Sequence, residues 1–145
     1  MWHGQNPPNV IFIDIRKECQ PHILGNVKNL PFKEQSFDVV FFDPPHHIPA
    51  KGFMYNEVYG EGLSPNQREA LFLSVNNEFS RLLKPNGLLF CKTTNMPTNP
   101  GFSSKHMEYS LEVALTNFNL YSRIAFPSRG RSKNAMVCWS NYRRK

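Results

Sequence analysis

Asp38-Val39-Val40-Phe41-Phe42-Asp43-Pro44-Pro45-His46 is the stretch whose reading decides the fold. A continuous apolar run between two acids, halted by two prolines, reads as a strand buried on both faces, as in a parallel sheet covered by helices. Phe41 and Phe42 are therefore assigned to the core. Upstream, Asn9-Val10-Ile11-Phe12-Ile13-Asp14 is a second run of this kind ending in an acid. A short strand is expected over Ile23–Val27, ahead of the turn Leu30-Pro31-Phe32.

Downstream, residues 48–63 contain glycines and aromatics and are long for a connection, which suggests a functional lid. Ser64-Pro65-Asn66-Gln67 then supplies an N-cap, a proline at the first helical position and a glutamine that completes a capping box. Leu71, Val75, Phe79 and Leu82 recur at helical spacing, and Lys84-Pro85-Asn86-Gly87 ends that helix before a strand over Leu88–Lys92. A further helix is expected over 106–116, and strands over 118–125 and 135–141. Strands alternating with helices predict an open, Rossmann-like α/β sheet with helices on both faces, its last strand pair forming an antiparallel edge.

The chain of 145 residues suits one domain, read as spanning 1–145. No run of about eighteen apolar residues and no charged-then-apolar leader is visible, so neither a membrane span nor a signal peptide is read. Cys19, Cys91 and Cys138 are odd in number and widely spaced. That pattern reads as free thiols in a reducing cytoplasm, and no metal-ligand spacing accompanies it. Net charge is +6, and from Arg123 onward Arg123, Arg129, Arg131, Lys133, Arg143, Arg144 and Lys145 have no acidic residue among them. Both phosphate contact and a solvated basic tail fit that distribution.

Asp43-Pro44-Pro45-His46 sits at the carboxyl end of its strand, where open α/β folds bind ligands. A capped turn is the plain reading of Asp-Pro, and the chemical reading is more specific. An exocyclic base amine is a poor nucleophile, because its lone pair is delocalised into the ring. Accepting both N–H protons localises that pair. The Asp43 carboxylate can take one, and the Pro44 carbonyl, stiffened by Pro44 and Pro45, can take the other. His46 can stack on an extruded base. His47 reads as a loop residue. Lys92 either borders this site or lays its stem along the surface.

Around this motif the order of landmarks resembles class I S-adenosylmethionine-dependent methyltransferases from the second strand of their sheet onward. The landmarks are Asp14, the segment from Asn26 to Phe32, Ser36-Phe37-Asp38-Val39-Val40, and Arg81-Leu82-Leu83-Lys84-Pro85-Asn86-Gly87. The chain is most similar to small prophage-type methyltransferases with a D-P-P-H motif. It shares with them Asp14-Ile15-Arg16, Leu30-Pro31-Phe32, Asp43–His46, Tyr59-Gly60, Arg81–Gly87 and Ser132–Trp139.

The resemblance implies S-adenosyl-L-methionine as cofactor, held by Asp14 at the ribose, by Asn26, Val27 and Phe32 in the segment that contacts the adenine, and also by Ile15 and Asp43. Where this chain has Asn26, many relatives have aspartate. It implies nucleic acid as partner, DNA favoured over RNA, with amino-methylation of adenine N6. Methylation of a guanine or adenine in RNA, and a non-catalytic nucleic-acid-binding relative, are the alternative readings. Tyr55 and Tyr59 fit base stacking or an ordinary lid, and Arg129, Arg131 and Lys133 fit phosphate contact or a solvated loop. The family's first strand and glycine-rich turn have no counterpart here, so the domain is expected to be N-terminally truncated relative to the family. A second copy or a partner chain completing the sheet follows as an expectation.

Overall fold

The computed structural model describes residues 7–45, 62–94, 107–127 and 136–145. They fall into two compact units, Met1–Pro31 and Phe32–Lys145.

In the first unit, β1 (Ile13–Asp14) pairs in parallel with β2 (Ile23–Leu24), with Asp14 opposite Leu24. A 3-10 turn, Lys17–Cys19, joins them. The strand expected over Asn9–Asp14 is thus two residues long, and Val10 and Ile11 are 43% and 44% exposed. Burial on both faces needs neighbouring strands and covering helices, and among the described residues β1 pairs only with the two-residue β2. The strand expected to reach Val27 stops at Leu24, because Asn26 turns the chain. Its side-chain oxygen accepts from the Lys28 N–H at 3.0 Å, and its carbonyl accepts from the Asn29 N–H at 3.0 Å.

The second unit is built from β3 (Phe37–Phe42), α1 (Pro65–Leu82), β4 (Leu83–Thr94), α2 (Met107–Ala114), β5 (Phe118–Pro127) and β6 (Met136–Arg144). The sheet order is β3-β4-β6-β5. β3 and β4 are parallel, whereas β6 is antiparallel to both neighbours. The expected antiparallel pair is present, with the C-terminal strand one place inside the edge.

α1 begins with the expected capping box. Ser64 Oγ accepts from the Gln67 N–H at 3.3 Å, and Gln67 Oε1 accepts from the Ser64 N–H at 2.9 Å. Phe72, Val75, Phe79 and Leu82 are fully buried or nearly so. The Phe42 ring meets Phe72 and Phe79 edge-on, with centroids 6.4 and 5.1 Å away. β4 starts at Leu83, earlier than expected, because Leu83 already pairs with Phe37 before the Pro85-Asn86-Gly87 irregularity. Gly87 is required there: an added Cβ would lie 2.9 Å from the Lys84 carbonyl oxygen.

The direction of α1 matters for the site. β4 follows it without a loop and runs parallel to β3, and the Gln35 N–H donates to the Arg81 carbonyl at 2.9 Å. The C-terminal end of α1 therefore stands at the start of β3, and its first turn stands at the carboxyl end of the sheet.

The alternating pattern predicts helices on both faces. Among the described residues, α1 and α2 pack on each other and both on β4, so they share one face. Leu89, Cys91, Thr93, Cys138, Ser140 and Tyr142 are buried on that side. On the opposite face Phe41, assigned to the core from sequence, is 71% exposed and stacks on Phe90 with centroids 5.0 Å apart. A run of apolar residues cannot tell two covered faces from one.

Candidate active site at the carboxyl ends of the strands

Asp43 follows β3 directly. Residue alternation puts its side chain on the face of Phe41, and Phe42 pairs with Cys91 on β4. The next residue of β4, Lys92, thereby comes abreast of Asp43, and its Nζ donates to Asp43 Oδ2 at 2.7 Å. Pro44, on the alternate side, is fully buried, and Pro45 is half-buried. The buried ring fixes the chain where the Pro44 carbonyl belongs. His46, Tyr55, Tyr59, Arg129, Arg131 and Lys133 lie outside the described residues.

In the first unit, Asp14 and Asn26 leave the parallel pair at the same end, since the Gly25 N–H donates to the Asp14 carbonyl at 3.0 Å. Asp14 is gripped by Arg16. Oδ1 accepts from the Arg16 main-chain N–H at 2.9 Å and from Nε at 3.1 Å, while Oδ2 accepts from Nη2 at 3.1 Å. Partial burial pushes the Asp14 carboxyl upward, but the Arg16 hydrogen bonds and charge outweigh it and leave it below the usual aspartate range. Burial and the Asp14 charge together push the nearby Cys19 thiol up. Ile15 is 69% exposed, Asn26 is exposed and Val27 is half-buried.

Phe32 belongs to the second unit. Its ring meets Phe37 edge-on at 4.9 Å, and its carbonyl accepts from Arg81 Nη1 at 2.6 Å. Its visible part here is to tie the start of β3 to the end of α1.

Several basic residues of the stretch read as phosphate contact or solvated tail are used internally. Arg123 bonds Glu112 at 2.9 Å and Ser140 at 2.9 Å, Arg144 donates to the Leu83 carbonyl, and Lys145 donates to the Thr116 carbonyl. Arg143 lies over the Tyr121 ring, 4.8 Å from its centre.

Two residues escape the sequence reading. Sequence leaves Lys92 undecided, although parallel pairing of its strand with β3 would place it beside Asp43. Arg68, on the first turns of α1, is buried at 8% exposure. Its signal is present: 68 extends the 72, 75, 79, 82 stripe by one turn.

Among the described residues, no group of three histidines, cysteines or acids that could hold a metal comes together. No described helix is long and apolar enough to cross a membrane.

No family model and no curated protein matches the chain. Solved structures do. The protein PH0226 from Pyrococcus horikoshii superposes with a TM-score of 0.57 at 16% identity, covering 92% of this chain and 70% of that one. TTHA0409 from Thermus thermophilus, provisionally assigned as a DNA modification methylase, gives 0.57 at 20% identity, covering 83% and 52%. It has also been solved with S-adenosyl-L-methionine. The N-methyltransferase NodS from Bradyrhizobium japonicum, in complex with S-adenosyl-L-homocysteine, gives 0.56 at 13% identity, covering 91% and 64%. The chain spans about half to two-thirds of the length of several of these proteins. With those superpositions beside the strand order and the position of Asp43, the chain has a Rossmann-like methyltransferase fold.

Proposed function

We propose that this chain is the catalytic part of an S-adenosylmethionine-dependent methyltransferase acting on an exocyclic amino group of a nucleobase, adenine N6 in DNA before RNA. The observation that carries the reading is the placement of Asp43-Pro44 at the carboxyl end of β3 in a sheet of methyltransferase fold. Both compact units are read as parts of one methyltransferase domain over 1–145. Buried, unbridged Cys91 and Cys138 support a reducing compartment, the cytoplasm.

The residues present fit the cofactor. Asp14, kept ionised by Arg16, is an acceptor suited to two vicinal ribose hydroxyls, and Asn26 leaves its sheet at the same end with an amide able to meet an adenine edge. Ile15, Val27 and Phe32 are the other residues that the family resemblance assigns to the cofactor. When bound, the cofactor supplies an electrophilic methyl group on sulfur.

Asp43 and the Pro44 carbonyl would each accept one N–H of the target amine, leaving its lone pair directed at that methyl. The surplus proton of the amine that takes up this methyl would leave through Asp43 to solvent. Positioning supplies most of the rate, since no covalent enzyme intermediate is needed. Lys92 fixes one Asp43 oxygen and so limits rotation of the carboxylate. His46, Tyr55 and Tyr59 are assigned to stacking on the base, and Arg129, Arg131 and Lys133 to phosphates.

Calorimetry with S-adenosylmethionine, comparing the chain with Asp14→Ala, tests the cofactor half. Saturable binding weakened by the substitution supports it. Transfer of labelled methyl to adenine-containing DNA, and its loss in Asp43→Ala, tests the rest. A folded protein that binds no cofactor would overturn the reading.

A further inference from the structure

Among the described residues, Arg68 contrasts with two other arginines. At two other places a guanidinium presents its Nε and Nη2 edge to a carboxylate: Arg16 to Asp14 at 3.1 and 3.1 Å, and Arg81 to Glu78 at 3.0 and 2.7 Å. In Arg68 these same two nitrogens, Nε and Nη2, are buried and make no hydrogen bond among the described residues. The residue is 8% exposed, so bulk water does not replace the missing partner. Two buried guanidinium donors without partners are costly in a protein interior, and burial accordingly lowers the Arg68 pKa.

Its place on α1 locates the unsatisfied fork. Phe72, one turn further along α1, touches Phe42, the last residue of β3. Arg68 therefore lies beyond the strand end, on the helix side, at the level of Pro44. It also sits in the opening turns of an 18-residue helix, whose dipole favours an anion. The capping box has satisfied the Ser64 and Gln67 N–H groups, and the Arg68 N–H donates to the Ser64 carbonyl at 2.9 Å. Beside these satisfied groups stands the Arg68 fork, whose two donors match two oxygens of one tetrahedral oxyanion.

We propose that Arg68 anchors a phosphate-binding site on the helix side of the carboxyl end of the sheet. The source of that phosphate, the backbone of the nucleic acid whose base reaches Asp43, rests on the function proposed above. Asp43 and Arg68 then divide the substrate: the base edge on one side of the strand end, the phosphodiester on the other.

The test uses the full chain with Arg68→Met and Arg68→Lys. Thermal unfolding is followed in sodium phosphate and in sodium chloride of equal ionic strength. The expected result is that Arg68→Met melts no lower than wild type in chloride, because it removes an unpaired buried charge. Phosphate should raise the midpoint of wild type more than that of Arg68→Met, with Arg68→Lys between them. Equal phosphate shifts in all three proteins, or an Arg68→Met variant that melts several degrees lower or does not fold in chloride, would overturn the site. A second arm measures a fluorescent adenine-containing single-stranded DNA by anisotropy. Arg68→Met should weaken binding about fivefold and reduce the slope of log K against log salt by about 0.7. Wild type that takes phosphate but not the oligonucleotide supports the site with free phosphate as its ligand and sinks the nucleic-acid reading alone.

Discussion

The Lys92 ammonium lies 2.7 Å from Asp43 Oδ2, joining the strand end that carries the D-P-P motif to its parallel neighbour. The pair is partly exposed, so its contribution to stability is small, under about 1 kcal/mol. Its consequence is orientation. Lys92→Met should leave the urea midpoint almost unchanged while kcat for methyl transfer falls about tenfold, equivalent to about 1.4 kcal/mol. KM for the cofactor should move little. Lys92→Arg should restore part of the rate, and an unchanged kcat in Lys92→Met would remove Lys92 from the mechanism.

Asp14 sets a pH dependence with a definite sign. Its folded-state pKa is below the ordinary value, so the unfolded chain takes up the proton first as pH falls. The stabilisation from the Arg16 pair is complete above the unfolded pKa of about 3.9 and is lost as pH drops through the folded value. Denaturation of wild type and Asp14→Asn from neutral pH down to the acid limit should show two curves that differ at neutral pH and converge in acid. A constant offset at every pH would mean that Arg16 does not hold the carboxylate.

Phe41 and Phe42 are adjacent and chemically identical, but they differ in exposure, 71% against 8%. Phe42→Ala removes a ring packed between Phe72 and Phe79 and should cost about 3–5 kcal/mol in urea unfolding. Phe41→Ala loses only the stack on Phe90 and should cost about 1 kcal/mol. Similar losses would show that the outer face of the sheet is covered in solution.

Gly87→Ala places a methyl 2.9 Å from the Lys84 carbonyl oxygen and 3.1 Å from Leu83 Cβ. Neither atom is the tip of a flexible side chain, so the backbone must shift, at about 1–3 kcal/mol. Chemical denaturation should show this loss with an unchanged slope.

Ser64→Ala removes the oxygen that accepts from the Gln67 N–H and should destabilise the fold by about 1 kcal/mol. Because that cap opens the helix carrying Arg68, the variant should also blunt the phosphate response.

Local signals are the legible ones. Ser64-Pro65-Asn66-Gln67 and the Leu71, Val75, Phe79, Leu82 stripe locate α1 because caps and periodicity act within a few residues. The strand at Phe37–Phe42 is legible for the same reason, but the exposure of Phe41 depends on what packs above it, which no short window contains. β1 shrinks from six expected residues to two for want of neighbours, again a non-local matter. In the site, Asp43-Pro44 announces itself by type and order. The Asp43–Lys92 contact needs a strand register and the isolation of Arg68 needs its packed surroundings, and neither is written in one segment.

The place of β6 between β4 and β5 fixes the order in which this protein can be made. Residues 136–144 lie between β4 and β5 in the sheet although they follow both in sequence. During synthesis β5 therefore emerges before the strand it pairs with, and β4 waits with its far side open. Assembly of that half of the sheet must wait until residues 136–144 have been made, which makes it a long-range step. Until then β4 and β5 each leave an edge unpaired.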